Sequence, residues 1–471
     1  MEQRTKRDLA IINLVSEFES QYENGSVQYL DEKAYYQLIR YYEEESQWSK
    51  ALDVVNLALN QFKYRSDFYL FKAKILFALN ENEQCLLCIQ EAEHLSPNET
   101  EVLLLKAKAL SKSKRFEESL AILSNVKKYV MASELTDLYL CESFIFEMMK
   151  DYDTMYEVLK KAIFLDPKHE EALDRMLLCT GLGRKYEESI VFFKHIIEIE
   201  PYSYLAWYNL GYAYNYIGEY EKAINAMEYS FIINPDFESG YLECAELCLQ
   251  ENQYERAFQI YEESNNIFGP DSELITNMAH CFIKMGKIDK TKYLLAKAIR
   301  LDPYNDEAYF LLGECYSKES NWYSAINAYH KAVNIDERCE DYYFGLAKAY
   351  VKVENYTKAV YNFNKATKNG PEQSIYWSEY VSFLLKIGLY EEALDILDEA
   401  EDYTFGANLL YCRAITLFYL GKRQEGMLIL EEALTENFEE HNILFQIAPE
   451  LEVDKEILSM IKYFKAELDE Y

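Results

Sequence analysis

Prolines at positions 97, 167, 201, 235, 303 and 371 constrain this chain more than any other feature, because from Pro167 onward every separation within the set is 34 or 68 residues. A fixed period of that length marks a stacked array, in which each unit buries its apolar face only against its neighbours. Composition points the same way. Among 471 residues there are 15 Gly and 8 Pro, about 5% of the chain against roughly 12% in an average protein, which excludes turn-rich sandwiches and α/β folds and leaves helices. Half of the residues are hydrophobic and 27% are charged, so the chain can bury a core and is not disordered. At this length a single core would divide into domains, whereas an array need not.

Charge narrows the function classes. Against 48 Lys and Arg stand 81 Asp and Glu, a formal charge of −33, which repels phosphate backbones and anionic lipid headgroups and argues against nucleic-acid binding. No run of 18 consecutive apolar residues occurs, so no membrane span is expected. The basic N-terminus, with Arg4, Lys6 and Arg7, is followed by a short apolar run broken at Asn13 and then by Glu17 and Glu19, unlike a secretion signal. A cytoplasmic location is the expectation. The ten cysteines are scattered through apolar helical stripes, as reduced thiols used for packing would be. Cys85 and Cys88 form one C-x-x-C without the second pair that a zinc ribbon needs, and Cys244 and Cys248 lie one helical turn apart. The six histidines show no metal-ligand spacing, and the phosphate-loop, dinucleotide, zinc-protease and nucleophile-elbow motifs are missing. No catalytic residue, cofactor or metal is expected, and nearly every residue falls in a repeat or a cap.

The clearest unit begins at Tyr204 and carries Trp207, Leu210, Gly211, Tyr214, Tyr220, Ala223, Met227 and Pro235. A second begins at Asp306 and carries Tyr309, Leu312, Gly313, Tyr316, Trp322, Ala325, Tyr329 and Ala332. This pattern resembles the tetratricopeptide repeat, a helix-turn-helix of 34 residues. The register extends to about twelve units, starting at Glu32, Ser66, Thr100, Thr136, Glu170, Tyr204, Glu238, Ser272, Asp306, Glu340, Ser374 and Ala407. Position 17 is aromatic in nine of them, from Trp48 and Phe116 to Tyr390, and is read as core. Alanine recurs at position 20 (Ala51, Ala223, Ala257, Ala325, Ala359, Ala393) and at position 27 (Ala58, Ala92, Ala162, Ala298, Ala332, Ala366, Ala400, Ala433). Small residues at these points let two helices approach closely.

The expected fold is therefore all-α: a right-handed superhelical solenoid of about twelve repeats over residues 32–440, with register breaks near 131–135 and 405–406. Residues 1–31, with Leu9, Ile12, Val15 and Phe18 at helical spacing, are expected to cap one end. Residues 441–471, an acidic helical segment including Lys455 to Phe464, are expected to cap the other.

The resemblance also implies where a partner binds. In the family, positions 2, 5, 6, 9, 12 and 13 of each first helix line a concave groove. The carboxylate clamp of cochaperone members is not reproduced, since Asn209 at position 6 is preceded by Asp174 and Leu178 and followed by Ser239 and Glu243. A ladder of asparagines at position 6 is not reproduced either, because only Asn209 and Asn277 supply it. The candidate groove instead holds Tyr208, Asn209, Tyr212, Asn215 and Tyr216, rings with polar tips of the kind that make hot spots or simply pack. It also holds a row of lysines, Lys284, Lys318, Lys352 and Lys386 at position 13, with Lys348 at position 9. That row reads either as a track for an anionic peptide or as cations favoured at helix C-termini, and Glu273, Glu307 and Asp341 at position 2 face the same groove. The expected function is a non-enzymatic protein-interaction scaffold holding a peptide or protein segment in its groove. The alternative is a regulatory or structural subunit of an enzyme or transport complex, binding through its ends or convex face.

Overall fold

A computed structural model of the chain describes residues 2–23 and 29–469, and these contain helices and turns but no strand. Helix α1 (Glu2–Glu23) precedes twelve helix pairs. They are α2 (Glu32–Glu44) with α3 (Trp48–Gln61), α4 (Ser66–Ala78) with α5 (Asn82–Leu95), α6 (Thr100–Lys112) with α7 (Phe116–Val126), α8 (Leu135–Met149) with α9 (Tyr152–Leu165), α10 (Glu170–Gly183) with α11 (Tyr186–Ile199), α12 (Tyr204–Tyr216) with α13 (Tyr220–Ile233), α14 (Glu238–Gln250) with α15 (Tyr254–Phe268), α16 (Ser272–Lys284) with α17 (Ile288–Leu301), α18 (Asp306–Lys318) with α19 (Trp322–Ile335), α20 (Glu340–Lys352) with α21 (Tyr356–Asn369), α22 (Ser374–Lys386) with α23 (Tyr390–Glu401), and α24 (Ala407–Tyr419) with α25 (Arg423–Glu436). Helices α26 (Asn442–Ile447) and α27 (Lys455–Asp469) follow. The chain divides into two compact units, Met1–Gly240 and Tyr241–Tyr471. Each is a stack of helix pairs, every pair packing on the next.

Every first helix ends in the same way. The residue at repeat position 15 has a positive φ in all twelve pairs: 72–80° at Gly218, Gly286, Gly388 and Gly421, and 53–61° at Ser46, Asn80, Lys114, Lys150, Arg184, Asn252, Ser320 and Glu354. Its N–H donates to the carbonyl at position 12, and the next N–H donates to position 11. Ser320 N to Ser317 O (3.0 Å) and Asn321 N to Tyr316 O (2.9 Å) are one instance, and the same two bonds recur in every pair. This satisfies carbonyls that the helix end leaves open and reverses the chain into the second helix.

The second helix then closes on the first through its small residues. All fourteen alanines at positions 20 and 27 have no exposed surface. The approach is tight enough to need glycine where a ring crosses. A methyl at Gly313 would lie 2.5 Å from Tyr329 Cε1, and one at Gly345 would lie 2.9 Å from the same ring atom. Tyr329 of α19 is thus sandwiched between the first helices α18 and α20, 1% exposed. The Trp at position 4 and the Pro six residues before it also act together: Trp207 Nε1 donates to Pro201 O and Trp377 Nε1 to Pro371 O, each at 2.9 Å.

Two expectations need correction. The position-17 aromatics are not core: Trp48, Phe116, Tyr152, Tyr186, Tyr254, Trp322 and Tyr390 are half-buried, while Tyr220 and Tyr356 are exposed. They open the second helix, and three of them meet position 13 of the next repeat, as in the Tyr186–Tyr216 stack (4.6 Å between ring centres) and the Tyr390–Tyr419 stack (4.8 Å) and under Lys352 at Trp322. On α1, Val15 and Phe18 are buried against Tyr35, Leu38, Tyr42 and Val54, but Ile12 is 54% exposed, and Ile11 and Leu14 take the packed side. The Leu9 side chain lies outside the described residues. At the other end, Ile457 and Ile461 of α27 join Leu444 and Ala448 over the last repeat, and Arg423 ties the turn down through Asp454 and Glu456, each at 2.8 Å. All ten cysteines are free thiols. Cys85 is buried, donates to Ala73 O (3.2 Å), and has its pKa pushed up to about 12 by burial.

Two stability effects follow. Gly313→Ala should lower stability by roughly 1–3 kcal/mol, because a rigid ring and not a flexible chain end must move. Ser320→Gly, at an exposed position with φ 60°, should raise stability by about 0.5–1 kcal/mol by relieving the left-handed strain. Denaturant midpoints at constant slope check both.

Candidate functional site

The first helices of the unit-2 repeats separate charge along their length. Position 2 holds Glu273, Glu307 and Asp341, and position 13 holds Lys284, Lys318, Lys352 and Lys386, all exposed. Eleven helical residues place the two rows about 16 Å apart, beyond the Debye length of about 8–10 Å near physiological salt. The acidic row therefore does not cancel the basic one. It is also occupied: the Tyr376 hydroxyl donates to Asp341 (2.7 Å), and the neighbouring Asp306 accepts from Tyr342 (2.8 Å). Burial, then Asp306 and Glu273, push the Glu307 carboxyl above its usual range.

Among the described residues none of Lys284, Lys318, Lys348, Lys352 and Lys386 is in an ion pair. Lys348 Nζ lies over the Phe344 ring (4.8 Å) and Lys352 Nζ over Trp322 (5.9 Å). Such contacts hold an ammonium in place and leave its charge unneutralised. Lys284 and Lys318 come from successive repeats, yet both act on His280, whose imidazole is held below its usual value first by burial and then by these two ammonium groups. Two carboxylates toward the end of α18 are engaged elsewhere, Glu314 by Tyr329 OH (2.5 Å) and Glu319 by Lys292 (2.5 Å).

The tyrosine group of α12 divides. Tyr208 is 5% exposed, edge-on to Phe237 at 5.0 Å, and Asn209 is 1% exposed with Nδ2 donating to Leu205 O at 2.7 Å. These two are corrected to buried positions: Phe237 of the following turn covers Tyr208, and Asn209 turns its amide back onto its own helix. Tyr212 and Asn215 are half-buried and Tyr216 is exposed. Tyr212 lies 4.8 Å from Tyr216 and packs its hydroxyl over Gly181.

The sequence reading missed a second basic row, Arg40, Lys74 and Lys108 at position 9 of the first three units, although the period of 34 was available to find it. Its charges are partly spent, since Lys74 is bonded to Glu101 and Asp67 lines the same cavity. Also missed were tyrosine–carboxylate bonds between successive repeats: Tyr36 to Asp67 (2.8 Å), Tyr204 to Glu170 (3.1 Å), and the Tyr342 and Tyr376 bonds above. Among the described residues no group of three or more His, Cys, Asp or Glu could hold a metal, and no helix is long and apolar enough to cross a membrane.

Comparison with known proteins agrees with this geometry. Models of the tetratricopeptide repeat match residues 192–225 and 344–407, within the stack of helix pairs described above. The chain carries tetratricopeptide repeats. A model of the anaphase-promoting complex, cyclosome, subunit 3 matches residues 289–366 of the same tetratricopeptide array. The TPR repeat-containing protein YpiA of Bacillus subtilis (strain 168) is 24% identical over 372 residues, covering 78% of this chain and 86% of that protein. BBSome complex member BBS4 of Bos taurus is 23% identical over 209 residues, 43% of this chain and 40% of that protein. Anaphase-promoting complex subunit 3 of Schizosaccharomyces pombe is 24% identical over 174 residues, 37% and 26% respectively. The chain thus spans less than half the length of the latter two. Among solved structures, the anaphase-promoting complex hetero-tetramer Cut9–Hcn1 is similar over 85% of this chain and 83% of that one, at 14% identity and a TM-score of 0.38.

Proposed function

We propose that this chain is a non-enzymatic scaffold that takes an acidic protein segment on the first-helix face of its second unit. One observation carries the reading: in a chain of formal charge −33, Lys284, Lys318, Lys352 and Lys386 stand exposed, in register and outside any ion pair among the described residues. A helix-end role alone accounts for one lysine at a time, and each such role is worth about 0.3–1 kcal/mol. A row of four with Lys348 beside it also gives a partner both encounter rate and alignment. Tyr212, Asn215 and Tyr216 offer a separate polar-aromatic patch on the first unit.

A second reading has its own support. The second helices α9, α11 and α13 of the first unit expose Phe164 (48%), Val191 (71%), Tyr229 (51%) and Ile232 (65%). That favours docking of this face in a larger assembly, and two relatives are named as members of complexes.

Replacing Lys318 and Lys352 with Gln should weaken binding of a poly-glutamate peptide by about 0.5–2 kcal/mol at low salt and by much less at 0.5 M, where screening removes the attraction. Fluorescence anisotropy at both salts measures it, and equal affinity of both proteins at low salt would defeat the acidic-segment reading. For the two first-unit surfaces, Tyr212→Ala and Val191→Glu are compared in partner capture from the native host with unchanged melting temperature. Loss of partner with Tyr212→Ala alone supports the first-helix face, and loss with Val191→Glu alone supports the second reading.

A further inference from the structure

We infer that the lysine row reads spacing as well as charge, and that its ligand is an extended segment carrying an acidic side chain at every third residue. The inference deepens the acidic-segment reading and rests on it. The row offers one position-13 ammonium per repeat, on α16, α18, α20 and α22. Successive first helices pack on one another directly, α16 on α18 and α18 on α20, and helices in contact lie about 8–10 Å apart. An extended chain in the polyproline II conformation advances about 3.1 Å per residue with three residues per turn, so every third side chain faces the same way and lies about 9 Å further on, opposite the next lysine.

Two further observations favour a fixed register. Lys352 is held over Trp322 of the preceding repeat and Lys348 over Phe344, so these heads have less freedom to follow a misplaced carboxylate. Lys284 and Lys318 both act on the imidazole of His280, whose pKa is held low first by burial and then by these ammonium groups, so ammonium groups of successive repeats lie near one side chain. The competing geometry is a helical ligand. It would need acids seven residues apart over about twenty residues, since a helix rises 1.5 Å per residue, and such a helix must first be nucleated at a conformational cost. Four extended acidic positions need only ten residues.

The test uses the full chain and three fluorescein-labelled ten-residue peptides of identical composition, each with four Glu among Ser and Gly: Glu at every third residue, at every second residue, or in one block. A fourth peptide of 22 residues carries Glu at every seventh. At 50 mM salt the every-third peptide should bind at least fivefold more tightly than the block. That advantage should vanish in the Lys318→Gln/Lys352→Gln protein, whose circular dichroism and melting temperature are checked against the parent. Equal affinity of the three short peptides overturns the spacing inference and leaves the acidic-segment reading standing. Tighter binding of the 22-residue peptide overturns the extended conformation. Failure of every peptide to bind overturns the acidic-segment reading itself.

Discussion

The left-handed residue at repeat position 15 sets the geometry on which the other contacts depend. With its N–H and the following one turned back onto positions 12 and 11, the first helix stops at the same point in each unit and the second leaves in the same direction. Positions 20 and 27 are thereby delivered against the first helix twelve times over, and the alanines that hold most of these positions are fully covered. Eight of the twelve turn residues are not glycine, so the conformation is imposed by the packing it permits. The conformational penalty is of order 1 kcal/mol at each of these sites, whereas the alanine seams and the rings between them bury whole side chains, worth several times that per unit. Tyr329 between Gly313 and Gly345 shows how little slack remains once the pair has closed.

Within each unit, repeats are also joined by polar contacts that use what this composition has in excess. Tyrosine and carboxylate residues are abundant, and they meet at the N-terminal ends of first helices, Tyr342 on Asp306 and Tyr376 on Asp341. A phenol can bury its ring and still leave its hydroxyl beside a half-exposed acid. These bonds occupy one edge of the first-helix face with neutral donors and accepting carboxylates. The opposite edge carries the lysines, of which Lys352 lies over the Trp322 ring. The separation of about 16 Å between the edges keeps the basic row electrostatically distinct in a strongly acidic protein.

The same division explains why the candidate binding residues behaved differently. Lysine stays at the surface wherever a helix turn places it there, since its ammonium resists desolvation, so the row at position 13 is exposed as its spacing implied. Tyrosine accepts either environment. Tyr208 and Tyr216 are eight residues apart on α12, yet the first is covered by Phe237 and the second stacks on Tyr186 in the open. Asn209 was placed in the groove by register, but it is buried and bonded to its own helix.

Read alone, the sequence determined the helix pairs, their number and their small-residue seams, because a period of 34 with alanine at fixed offsets leaves one way to bury the apolar positions. It also placed an apolar helical pattern toward each end, at Leu9 to Phe18 and at Lys455 to Phe464, and the structure selected Val15 and Phe18, and Ile457 and Ile461, for burial. Only the tertiary structure decided the sign of φ at Lys114, Lys150 or Ser320, the shift of the α1 seam from Ile12 to Ile11 and Leu14, and the half-buried position of Trp48, Tyr186 and Trp322. The reason is common to all three. Periodicity assigns a residue to a face of its own helix, but burial, strain and partnership are set by side chains from the next repeat some thirty residues away, as where Tyr342 finds Asp306.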